Sequence, residues 1–134
     1  MKSIRVLGAL AIALSATAPA LAQEHVAALV NESQNNGIAF ASKYQNSQMV
    51  IDDYVIGSSA SPIGVASISV GAKPDKFGFP ASQQATCTLT ENADIQKFGA
   101  LNKGAHIILT GKYVAMQGST IMLINCSYTA AVVK

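Results

Sequence analysis

The chain has 134 residues, with nine basic and seven acidic side chains, two cysteines and no tryptophan. Two of the basic residues, Lys2 and Arg5, stand in an N-terminal leader-like stretch; beyond Ala22, seven lysines balance seven acids and arginine is absent. Arginine is the preferred fork for phosphate and guanine, and nucleic-acid binders usually display a basic patch, so the charge pattern disfavours nucleic acid as a partner.

MKSIRVLGALAIALSATAPALAQ opens with two cations, continues in an apolar run from about Val6 to Leu14, and reaches the small-residue triplet Ala20-Leu21-Ala22. This is the pattern of a secretory signal peptide. The run is too short for a bilayer-spanning helix, which needs about 20 apolar residues. The expectation is a signal peptide over 1–22, a single domain over 23–134, and a periplasmic or secreted protein. No cysteine stands at the cleavage site, and no membrane span is expected in the mature chain.

From Val26 to Tyr44 the apolar spacing is helical: Val26, Leu29, Val30, Phe40, Ala41 and Tyr44 share a broad face with Ser33 and Gly37. Asn35-Asn36-Gly37 is a weak point where this helix can kink or shorten. QMVIDDYVIGSS, from Gln48, reads as the first strand, with Met49, Ile51, Asp53 and Val55 on one face and Val50, Asp52, Tyr54 and Ile56 on the other. SSASPIG is turn chemistry. VASISVG, from Val65, is the second strand, turning Ala66, Ile68 and Val70 one way and Ser67 and Ser69 the other. AKPDKFGFPAS, with two prolines, is a loop.

The third strand, 83–90, alternates Ala85, Cys87 and Leu89 against Thr86, Thr88 and Thr90. ENADIQKFGALNKG reads as a short helix with Ile95, Phe98 and Leu101 inward and Asn92 as N-cap. HIILTGKYVA, from His106, is the fourth strand. Gln117-Gly118-Ser119 turns into the fifth, TIMLINCSYT, where alternation groups Met122, Ile124, Cys126 and Tyr128. The expected class is therefore mainly β. Five short strands with an N-terminal helix, and a short helix between strands three and four, form the pattern of the five-stranded Greek-key barrel called the OB-fold.

The chain resembles the bacterial tRNA-anticodon-like OB-fold proteins, mostly exported proteins or lipoproteins of unassigned function. The matching residues are Asn36, Ala39 and Tyr44, the strand from Met49 to Ile56, Cys87, Leu101-Asn102-Lys103-Gly104 leading into Ile107-Ile108-Leu109-Thr110-Gly111-Lys112, and Leu123-Ile124-Asn125-Cys126-Ser127-Tyr128. Asp53 departs from the pattern, standing where such proteins tend to carry glycine. The family's name reports a likeness of fold to anticodon-binding domains, and an exported, arginine-free chain is ill suited to tRNA.

Strands three and five are neighbours in an OB-fold, which places Cys87 and Cys126 side by side. Two cysteines in an exported protein pair more often than not, so a disulfide is expected; two buried free thiols are the alternative. No C-x-x-C and no closely spaced histidines point to a metal, and no cofactor is expected. Asp52-Asp53 invites an acid/base reading, but adjacent strand residues face opposite ways, so one solvated acid and one bulge or rim residue is the simpler expectation. His25 and His106 read as surface residues. No serine or threonine has a base nearby in sequence, so no catalytic residue is singled out and a hydrolase ranks last.

OB-folds commonly bind ligands on the face of strands two and three and on the flanking loops. By that analogy the candidate face comprises Tyr54, Ser67, Ser69, Thr86 and Thr88, with Lys73, Lys76 and Phe77 of the 72–80 loop. Lysines beside Phe77 and Phe79 suit an anionic polymer or a sugar, although solvated lysines and a packed phenylalanine explain them more simply. The expected function is a small, non-enzymatic binding module of the bacterial envelope whose partner is an unknown protein or glycan. The alternative is an inhibitor or accessory factor of an envelope-directed hydrolase such as lysozyme.

Overall fold

The structure is a computed structural model, and residues 22–77 and 81–131 are described. Residues 1–21 of the expected signal peptide, and Phe79, lie outside them. In chain order the elements are β1 (Gln23–Glu24), α1 (Val26–Asn35), α2 (Gly37–Tyr44), β2 (Gln48–Ala60), β3 (Ala66–Gly71), β4 (Gln84–Leu89), α3 (Asn92–Gly99), β5 (His106–Gln117) and β6 (Thr120–Ala130). Among the described residues no helix is long and apolar enough to cross a membrane.

The strands pair in the order β2-β3-β4-β6-β5, and β5 returns to β2 to close the barrel. The pairings are antiparallel except for β4 with β6, where Gln84–Cys87 run parallel to Thr120–Leu123. With α3 between β4 and β5, this is an OB-fold, as the strand order predicts. β1, two residues long and parallel to Val50–Ile51 of β2, is an addition too short to leave a periodic signal.

The weak point in the first helix is a break. Asn36 leaves helical geometry, and its side-chain oxygen accepts the Ala39 N–H at 3.1 Å, capping α2. α1 buries Val26, Leu29 and Val30, and α2 buries Phe40, at the end of the barrel where β4 starts. There Phe40 meets Tyr113 edge-on, with ring centroids 5.7 Å apart. α3 sits at the opposite end, burying Phe98 against the Tyr128 ring. The space between is filled by Ile51, Val55, Ile68, Val70, Ala85, Leu109, Ile121 and Leu123, all buried.

Alternation holds through β3 and β4 but is interrupted in β2 and β6. In β2 a bulge between Val55 and Gly57 breaks the alternation; Ile56 is buried, yet it lines the outer groove beside Ser67 and Ser69 and does not join the barrel core. In β6, Ile124 pairs with Lys112 and Ser127 with Thr110, so Asn125 and Cys126 together oppose Gly111. Asn125 takes the left-handed conformation (φ 54°) that such a bulge needs and that asparagine tolerates. The expected face of β6 is corrected accordingly. Cys126 is buried and Tyr128 half-buried against the core, but Met122 is only half-buried and Ile124 is exposed, while Ile121 and Leu123 point inward. Cys87 and Cys126 form a disulfide inside the barrel, 39 residues apart in sequence.

Candidate binding face

The strand register decides which predicted residues meet. Ser67 pairs with Thr88, and Ser69 with Thr86. All four side chains point outward, because the alternate residues Ala66, Ile68, Val70, Ala85, Cys87 and Leu89 fill the core. The rows extend on both sides: Ser59 joins Ser67 from β2, Gly57 lies beside Ser69, and Met122 lies beside Thr86 from β6. Ser69 and Thr86 hydroxyls bond at 3.0 Å, and Ser59 and Ser67 at 2.9 Å. Each hydroxyl retains donor or acceptor capacity for a ligand. Ser59, Ser67, Ser69 and Gln84 help line a shallow groove of about 260 Å³. No charged residue lines it among the described residues.

Tyr54 lies on the same outer surface, opposite Gly71, where the β3–β4 loop leaves. Its ring is stacked on His106, with centroids 4.4 Å apart and planes 20° apart. In that loop Lys73, Lys76 and Phe77 are exposed. The packed phenylalanine is corrected: Phe77 is 73% exposed, held by Lys76 over its ring at 5.2 Å and by its N–H to the Asp75 carboxylate at 2.9 Å.

Sequence reasoning missed the set formed by His25, Asp52, Asp53 and His106. β2–β5 pairing brings His106 opposite Tyr54, and the His106 Nε2 lies 2.5 Å from Asp52 Oδ1. His25 Nδ1 contacts the Asp52 carbonyl oxygen at 2.7 Å. Asp53 is neither solvated nor a rim residue, as expected of one of the two acids, but buried, 4% exposed. It accepts the Val26 N–H at 2.8 Å, so a strand carboxylate serves as the cap of α1, and His25 stands 3.9 Å away. A negative charge at a helix N-terminus is favourable. The signal was present in the alternation, which puts Asp53 among Met49, Ile51 and Val55 and therefore demands a buried partner. Among the described residues these groups do not assemble a metal-ligand set.

Burial pushes the Asp53 carboxyl above its ordinary value, against the Val26 N–H and the His25 charge, which favour the anion. A raised folded-state pKa means the native protein binds this proton more tightly than the unfolded chain. Its contribution to stability is complete below the unfolded value, about 3.9, and is lost as pH rises through the folded value. Asp53→Asn keeps an acceptor for Val26 and removes the buried charge. Its melting temperature relative to wild type is expected to rise with pH from about 4 towards neutrality, measured as the difference between the two proteins. A difference independent of pH would reject this account.

The closed barrel, its plugging helices and the hydroxyl-lined outer face define an OB-fold domain. No family model matches the chain, and no curated protein matches it. Among solved structures, a lipoprotein of Klebsiella pneumoniae, described provisionally as nucleic acid-binding, superposes with a TM-score of 0.65 at 14% identity, covering 81% of this chain and 92% of the other. The asparaginyl-tRNA synthetase of Entamoeba histolytica superposes with a TM-score of 0.50 at 8% identity, covering 86% of this chain and 25% of the synthetase. At such identities the likeness is one of fold.

Proposed function

We propose that this protein is a small, exported, non-enzymatic binding module of the bacterial envelope, of the tRNA-anticodon-like kind. Its contact surface is the outer face of β3 and β4, and its partner is a protein or a glycan. The observation that carries this reading is the uncharged hydroxyl face built by Ser67, Ser69, Thr86 and Thr88. The dominant electrostatic part of nucleic-acid affinity comes from lysine and arginine set against phosphates. This groove has neither, so the nucleic-acid description of the Klebsiella lipoprotein is not carried over. The leader-like N-terminus and the buried disulfide support export, since such bonds persist in oxidising compartments.

Ser69→Lys with Thr86→Lys tests the reading. Both positions are outward and half-buried, so the fold should persist while the face acquires two charges. Capture of a partner from envelope extract is expected to fall at least tenfold, by more than about 1.4 kcal/mol, with the melting transition retained. Undiminished capture would place the contact surface elsewhere.

A further inference from the structure

β2 outruns its second neighbour. Gln48–Tyr54 pair with β5, and the segment before β5 still reaches Val55, whose N–H donates to the Ala105 carbonyl at 2.8 Å and whose carbonyl accepts the Gly104 N–H at 2.7 Å. Among the described residues, Gly57–Ala60 have a strand on one side, β3. The Ser61 N–H donates to the Val65 carbonyl at 2.7 Å, which fixes the alternation of the hairpin. Gly57 and Ser59 exchange bonds with Ser69 and Ser67, so the N–H and C=O groups of Ser58 and Ala60 point away from β3.

Exposed edges are ordinarily blunted by lysine, proline or a bulge. Gly57-Ser58-Ser59-Ala60 contains no charge and no proline, and the bulge lies before it. A cavity of about 240 Å³ opens beside this edge, walled by Ala60, Ala66, Ile68 and Leu89 of the barrel and by Ile95 and Phe98 of α3. Ser58 and Ala60 pair with Ile68 and Ala66, so they project on the cavity side. A residue added opposite Ser58 would project to that same side.

We propose that the free edge of β2 at Ser58–Ala60 docks an extended, uncharged peptide of a partner protein by strand addition, with one large apolar side chain in the cavity under α3. Main-chain hydrogen bonds supply the affinity and the cavity supplies the selectivity. A second copy of this chain fits less well, because its own edge, Gly57-Ser58-Ser59-Ala60, has no large side chain to place in the cavity. This inference goes beyond the hydroxyl face, although Ser59 and Ser67 of that face also help line the cavity, and rests on the reading of the chain as a binding module.

The probe is a panel of end-blocked seven-residue peptides alternating serine or threonine with valine, leucine, phenylalanine or tyrosine. Amide hydrogen exchange is followed residue by residue. At saturation by the best peptide, the Ser58 and Ala60 amides are expected to slow at least tenfold. Ser58→Pro removes an outward donor without touching the β2–β3 ladder and should weaken that peptide at least tenfold with the melting transition retained. Gly99→Leu should do likewise, since Gly99 lines the cavity and a Cβ there meets nothing within 4 Å. Three results would each overturn the proposal: no panel peptide protects the two amides, Ser58→Pro binds as wild type does, or the edge is occupied by a dimer that Ser58→Pro dissolves. An envelope partner lost by the lysine variants of the hydroxyl face but kept by Ser58→Pro would retire the edge and leave the binding module standing.

Discussion

Replacing both half-cystines, as Cys87→Ala with Cys126→Ala, is expected to lower the folding free energy by about 4 kcal/mol. The two are 39 residues apart, and a cross-link over a loop of that length removes this much chain entropy from the unfolded state. Domains hold only about 5–15 kcal/mol in total, so the loss takes a large fraction of the whole. The bond also joins β4 and β6, the barrel strands that pair in parallel. Urea unfolding of the oxidised protein, the reduced protein and the double variant measures the effect. A loss below about 1 kcal/mol would mean that the unfolded chain is already constrained across this span.

Gly111→Ala is the second large effect, about 1–3 kcal/mol of destabilisation. A Cβ at Gly111 would lie 2.6 Å from Cys126 Sγ, 3.2 Å from Leu123 Cβ and 3.3 Å from Leu123 Cδ1. None of these atoms is the loose end of a flexible side chain. The sulfur is tethered to Cys87, and Leu123 is buried. Conformational freedom is not the reason for glycine here; the space is. The two predictions are therefore coupled. In the background lacking both sulfurs, Gly111→Ala should cost much less, and equal costs in the two backgrounds would show that the clash lies elsewhere.

The regular strands were legible residue by residue. Alternation set Ser67 with Ser69 and Thr86 with Thr88, the likeness to OB-folds joined the two pairs on one face, and the register makes them cross-strand neighbours. Legibility failed where a single extra residue reverses the alternation, at Ile56 in β2 and at Asn125 in β6. A bulge leaves no periodic trace of its own, and one asparagine inside an apolar run does not announce where the register shifts. The His106–Asp52 contact was invisible for a different reason. It joins residues 54 apart, and only the pairing of β2 with β5 makes them neighbours. Asp53 lay between these cases: its burial followed from its neighbours, but its partner, a helix N-terminus from another part of the chain, did not.

The disulfide also divides the surface by how each part survives proteolytic attack. A backbone cut between Cys87 and Cys126, whether in α3, in the 100–105 connection or in the β5–β6 turn, leaves two pieces joined through sulfur. The β3–β4 loop bearing Lys73, Lys76 and Phe77 lies outside that span. A nick there severs the chain outright, releasing β2 and β3 from every covalent tie to the rest of the barrel. In a protease-rich environment, one cut in this lysine-bearing loop thus costs the protein more than a cut inside the disulfide-closed span.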